Sequence, residues 1–417
     1  MFFGRPVLLR FVAARVLGGV SLQMTSVALG WLVYQRTNSA FSLGLIGLLQ
    51  FLPSIPLVTA TGHAADHFDR RWVVAAAVGT QALASVALFG LGTHRELGMA
   101  WLYALVLALG AVRCFGPPAQ QAILASLVPP EELGRAVALS SSTGQLAIIA
   151  GPALGGLAYA WVGPGAFLMA GVVQVLAVGL ILSLPKSRPS PRPEEGGALA
   201  RAFAGLAYVR SNRLLLGAIS LDLFAVLFGG VTSLLPIYAR DILKVGPTGL
   251  GFLQSGPAIG AMLVGFILAH LQVNRRAGAL MLWCVAGYGV ATILFGLSSS
   301  FPLSMLAMIA VGGFDMVSVV VRQTMVQVAT PDAMRGRVGA VSAVFVSGSN
   351  RIGDFESGMV AGLVGAPAAV VIGGIGTILV VAATAWLVPE IRRADQLGSP
   401  RPGGEREGPV RRRRMGG

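Results

Sequence analysis

Twelve apolar runs, each about 20 residues long, leave this chain little freedom in how it folds. They fall at roughly 8–34, 42–64, 72–92, 98–127, 136–160 and 165–184, then at 213–238, 248–270, 277–297, 302–328, 338–362 and 366–388. In hydrocarbon every backbone N–H and C=O must be paired within its own segment, so runs of this kind cross a bilayer as helices. The expected fold class is an all-α membrane protein with twelve transmembrane helices. Composition agrees: charged residues make up 12% and hydrophobic residues 55% of the 417 positions, against about a quarter charged in a soluble domain.

The basic residues orient the spans. One side, holding the N-terminus and every second gap, receives 23 of the 31 Lys+Arg. The other side receives four (Arg36, Arg95, Arg240, Lys244), and four lie within spans. Such asymmetry places both termini in the cytoplasm of a prokaryotic inner (plasma) membrane. The net charge of +14 is therefore topological, and no nucleic-acid partner is expected. All six tryptophans, Trp31, Trp72, Trp101, Trp161, Trp283 and Trp386, sit within a few residues of a span end, at the headgroup level that such rings favour.

A Pro-, Gly- and charge-rich stretch divides six spans from six. The expected organisation is an N-terminal six-helix half (1–184), a cytoplasmic linker (185–212), a C-terminal six-helix half (213–389) and a disordered basic tail (390–417). The halves repeat. Tyr34, Arg36, Gly47, Leu49, Gln50 and Pro53 recur 204 residues later as Tyr238, Arg240, Gly251, Leu253, Gln254 and Pro257. An even number of spans per half makes the repeats parallel, related by an axis along the membrane normal. That geometry puts a substrate cavity between the halves, near the midplane.

Other chemistries find no residues. The two lysines, Lys186 and Lys244, follow no phosphate-binding glycine loop, Cys114 and Cys284 suggest no disulfide framework, and the four histidines have no metal-ligand spacing. No enzyme, cofactor or metal is expected.

Between the second and third spans stands Gly62-His63-Ala64-Ala65-Asp66-His67-Phe68-Asp69-Arg70-Arg71. It resembles the first cytoplasmic-loop motif of the major facilitator superfamily, G-x-x-x-D-R-x-G-R-R, with His67 at a usually basic position and Asp69 at a usual glycine. GPALGG (151–156) resembles that superfamily's antiporter motif of the fifth span. FLPSIP (51–56) and SNRIGDFESG (349–358) resemble an exporter subgroup, the transmembrane secretion effectors, which includes enterobactin exporters and macrolide efflux proteins. The resemblance covers nearly the whole chain. It implies that Gly62, Asp66, Arg70 and Arg71 form a gate locking the outward-facing form, and that Gly151, Pro152, Gly155 and Gly156 give a smooth bent surface on which the halves rock. Topology-setting arginines and small-residue packing are the plainer alternatives.

Charges inside spans are costly, roughly 2.5–3.5 kcal/mol each on insertion scales, so they mark candidate function. Arg15, Arg113, Arg322 and Arg351 stand against Asp222, Asp315, Asp354 and Glu356, a balance that suggests mutual pairing around a wet cavity. Arg351 and Asp354, three apart, can pair directly; Asp315 and Arg322 share a helix face. Asp222 has no evident local partner and leads the four acids as a proton-coupling candidate, the alternative being structural ion pairs. The arginines either hold an anionic substrate or neutralise the acids. Gln23, Gln50 and Gln254 serve as cavity groups or as helix-to-helix hydrogen bonds.

Together these features describe a secondary active transporter, a proton-driven exporter of a siderophore or hydrophobic drug that works as a monomer by alternating access. Its partners are a small-molecule substrate, protons and the lipid bilayer. A proton-coupled importer of the same fold is the alternative, and a non-transporting membrane receptor stands behind it.

Overall fold

The computed structural model describes residues 6–94, 96–186, 198–270 and 277–392, nearly all of them helical. Spans α1 (Pro6–Thr37), α2 (Ala40–Leu57), α3 (Arg70–Thr93), α4 (Met99–Leu127), α5 (Pro130–Val162) and α6 (Gly165–Leu182) make the first half. Spans α7 (Arg213–Ile242), α8 (Gly246–His270), α9 (Ala277–Leu297), α10 (Phe301–Ala329), α11 (Asp332–Val364) and α12 (Ala366–Leu387) make the second. Eleven of these described helices are long and apolar enough to cross a membrane. The exception, α11, has ample length but carries Arg335, Arg337, Arg351, Asp354 and Glu356; it survives because it packs between protein neighbours α2 and α7 rather than lying in lipid.

Several spans are broken where the sequence removes a donor or a side chain. α2 steps at Leu52-Pro53 and runs on to His67. α4 steps at Cys114-Phe115 before Pro117 and Pro118, since proline lacks an N–H to continue the ladder. α7 opens at Gly229-Gly230, then finishes through a 3-10 turn (Val231–Leu234) and a π turn (Tyr238–Ile242). The stretch expected as a linker contains a helix, Ala198–Ser211, packed on α11 and tied to α10 by Tyr208, whose hydroxyl donates to the Ala329 carbonyl at 3.2 Å. The expected tail lies, beyond Arg392, outside the described residues.

Twelve crossings return the chain to the end at which it starts, here the near end. Each half packs internally, α1 on α5 and α6, and α8 on α10 with α9 on α12. The halves meet through two extensive contacts, α2 with α11 and α5 with α8. Exchanging the halves turns one contact into the other, as the 204-residue repeat requires of an axis along the bundle.

Both contacts are closest toward the far end, and glycine makes them possible. A side chain at Gly156 of α5 would lie 2.4 Å from the Pro247 carbonyl oxygen, and one at Gly44 of α2 would lie 3.0 Å from the Asp354 carbonyl oxygen. The connections at that end add polar ties. Tyr34 donates its hydroxyl to the Asp241 carboxylate, and Arg240 donates to Asn38 Oδ1 at 2.7 Å and to the Tyr34 carbonyl at 3.2 Å. The Arg240 guanidinium also stands 5.3 Å from the Tyr34 ring centre, within cation–π reach. The bundle is shut at its far end.

Candidate functional site

Six of the eight intramembrane charges sort into two places, one in each half. In the second half, Asp222 of α7 meets Arg322 of α10 at 2.9 Å, with both side chains almost fully enclosed (6% and 4% exposed). Asp222 has no partner nearby in sequence; its partner comes from a helix a hundred positions on, which local spacing cannot reveal. Arg322 correspondingly does not pair with Asp315, despite sharing a helix face with it. Asp315 lines the same small gap as Asp222, Tyr288 and Ser318 and has no salt bridge among the described residues. The gap holds about 10 Å³, roughly the space of one water. A second carboxylate therefore stands beside a guanidinium that is already paired.

In the first half, a cavity of about 680 Å³ lies between α1, α3, α4, α5 and α6, on the near side of the bundle. Arg15, Arg113 and Arg351 all line it, with Gln23 among the neutral groups. Arg15 donates to Ser140 Oγ at 2.5 Å and Arg113 to Gln50 Oε1 at 2.7 Å. Neither has a carboxylate partner among the described residues, so the expected four-against-four pairing is only half realised. Arg351 does pair with Asp354 at 3.5 Å, as their spacing predicts. Asp354 itself packs on α2 against Gly47, and its carbonyl accepts from Ser233 of α7 at 3.1 Å. Glu356, two positions on, accepts a long bond from Ser357 at 3.5 Å. Neither Glu356 nor Gln254 lines the cavity.

The loop motif divides likewise. Arg71 donates to the Leu184 carbonyl at 2.6 Å and pairs with Asp69 at 2.9 Å, and Asp69 caps α3 by accepting from the Arg71 N–H. An aspartate replacing the usual glycine is here a helix cap. Arg70 reaches the Ala122 carbonyl at 3.5 Å. The Asp66 side chain and the surroundings of Gly62 lie outside the described residues, and with them the complete gate expected of this motif.

In GPALGG the residues divide between two neighbours. Side chains at Gly151 and Gly155 would strike α1, 2.6 Å from Gln23 Cβ and from Met24 Cα, whereas Gly156 faces α8 of the other half. Pro152 presents its carbonyl to Gly251. Packing within one half and contact across the halves thus fall to adjacent residues.

Sequence reasoning missed the far-end ties. Arg240 and Tyr34 are visible as repeat residues, but Asn38 and Asp241 carry no local signal beyond sitting beside them.

The family profile described as transmembrane secretion effector matches residues 4–410. Among curated proteins, the enterobactin exporters EntS of Shigella boydii serotype 18 and Escherichia coli O81 are each 28% identical over 385 residues, 92% of this chain and 92% of theirs. Among solved structures, a bacterial homologue of the human lysosomal transporter Spinster, inward-facing and unoccupied, superposes with a TM-score of 0.70 at 15% identity, covering 95% of this chain and 98% of that one. The nucleoside transporter NupG gives 0.68 at 15% identity, covering 92% and 99%. These neighbours are membrane transporters, not enzymes, and they share the fold. The chain belongs to the transmembrane secretion effector family and is a multi-pass secondary transporter of the major facilitator type.

Proposed function

We propose that this transporter is a proton-driven exporter, moving a siderophore or a hydrophobic drug out of the cell by alternating access. The observation that carries the coupling is the cluster of Asp222, Arg322 and Asp315. With both carboxylates ionised it holds one uncompensated negative charge inside the bundle; with one proton bound it holds none. Enclosed charge is expensive, so proton binding and release change which packing of α7 and α10 costs least. Asp315, which has no guanidinium of its own, is the proton carrier in this reading, and Asp222 holds Arg322 in place.

The charge asymmetry of the loops supports cytoplasmic termini. The near-side cavity then opens toward the cytoplasm, where an exported compound is loaded, and the far-end ties close the outer side. Relatives named as enterobactin exporters support outward transport of a siderophore.

The test uses everted vesicles holding the full chain and a dye quenched by the pH gradient. Enterobactin, a macrolide and a cationic dye are added in turn to the intact protein and to Asp315→Asn. The reading requires that one compound dissipates the gradient with the intact protein and that the variant does not respond. Gradient loss that survives Asp315→Asn would remove Asp315 from coupling; substrate movement with no proton movement would remove coupling altogether.

A further inference from the structure

We infer that the cavity in the first half is an anion site, that its ligand is an organic anion bearing carboxylate or catecholate groups, and that Arg351 is the residue through which the ligand engages both halves. The inference rests on the transport reading above for its place in a cycle, but its chemistry stands on the cavity alone.

Three guanidiniums face this space and, among the described residues, no carboxylate lines it. Arg15 and Arg113 spend one bond each on neutral partners, Ser140 and Gln50, which satisfy a donor and cancel no charge. The Arg113 Nε is enclosed and has no hydrogen-bond partner, a costly omission for a charged donor. Arg113 and Arg351 line the same cavity, so their like charges repel across it. An unmet donor, two unneutralised cations and a mutual repulsion all favour the same occupant, a molecule with two or more anionic oxygens. Guanidinium groups bind such oxygens in pairs. A cationic drug meets repulsion at each of these positions.

Among the described residues, Arg351 is the one lining residue that belongs to the second half. Its side chain is 44% exposed, and its hold on Asp354, at 3.5 Å, is long for an ion pair of this kind. Asp354 sits on the α2–α11 contact against Gly47. An anion in the cavity competes with Asp354 for Arg351. Binding would then tie α11 to α1 and α4 across the open side and loosen the ion pair beside the α2–α11 contact. Ligand recognition and movement of the halves thereby share one side chain.

Binding to the full chain in nanodiscs tests this, with two xanthene dyes of opposite charge, carboxyfluorescein and rhodamine 6G, and with enterobactin as a catecholate. Carboxyfluorescein or enterobactin is expected to bind and rhodamine 6G to be excluded. Arg113→Gln is expected to weaken the anion by roughly tenfold to a hundredfold, the loss of a charge-assisted hydrogen bond. Arg351→Gln weakens it as well, while Asp354→Asn, which frees Arg351, tightens it. The opposite sign of that last change separates recognition from misfolding, which only weakens. Preference for the cation, no binding of either anion at millimolar concentration, or an unchanged anion affinity in Arg113→Gln overturns the inference. Asp315→Asn should bind anions as the intact protein does. A transporter that moves no protons yet still prefers anions would therefore refute the coupling and leave this site standing.

Discussion

Replacing Gly156 by alanine should push the protein out of the arrangement described here. The added Cβ would lie 2.4 Å from the Pro247 carbonyl oxygen and 3.0 Å from Gly251 Cα. Ordinary contact starts at 3.4 Å, so α5 and α8 must part by 3.4 minus 2.4, about 1 Å, and the obstacle is backbone that cannot swing aside. Overpacking of this kind costs about 1–3 kcal/mol. The same substitution gains up to about 1 kcal/mol of helix propensity, but that gain accrues whether the far end is open or shut. It cancels from the conformational equilibrium, which should shift toward opening by about fivefold to 150-fold. Overall stability sees both terms and should fall by no more than about 2 kcal/mol. Spin labels replacing the exposed Trp161 of α5 and Leu297 at the end of α9, with the native cysteines removed, read the distance between halves by pulsed electron resonance. Gly90→Ala is the control, because nothing lies within 4 Å of its added Cβ. Should Gly156→Ala leave the distance distribution as Gly90→Ala does, the α5–α8 glycine contact does not hold the far end shut.

Two further outcomes follow from named contacts. Arg322→Gln should lower stability by about 3–5 kcal/mol, as buried Asp222 loses its partner, while adding Asp222→Asn to it recovers much of the loss; thermal unfolding in nanodiscs measures the cycle, and a double variant no more stable than Arg322→Gln would show the pair is not coupled. Arg240→Gln removes the bonds to Asn38 and the Tyr34 carbonyl, worth about 1.5–3 kcal/mol for a charged donor. Faster labelling of a far-end cysteine by an impermeant maleimide is the expected readout, and unchanged labelling would mean these ties do not gate that end.

The glycines of GPALGG show how far a motif can be read before a structure exists. Their smallness announces a close approach, yet nothing local says that Gly151 and Gly155 meet α1 while Gly156 meets the other half. One residue of helical twist, about 100°, separates the two destinations. α11 makes the complementary point. Its charges weaken it as a membrane span, and only its position between α2 and α7 explains why they are tolerated.

What the sequence by itself determined is whatever depends on local polarity and on count: twelve crossings, their alternation, the two-half repeat, and the short-range pair Arg351–Asp354, three residues apart. Hydrocarbon enforces these segment by segment, because each helix must satisfy its own backbone before it meets a neighbour. Tertiary structure decided the partnering of charges between helices. It matched Asp222 to Arg322 and, among the described residues, left Asp315 beside them without a salt bridge and gathered Arg15, Arg113 and Arg351 around a cavity without a carboxylate. Four acids and four bases look balanced along the chain. Ion pairing acts over a few ångströms in space, so the balance dissolves once packing assigns each charge its neighbours.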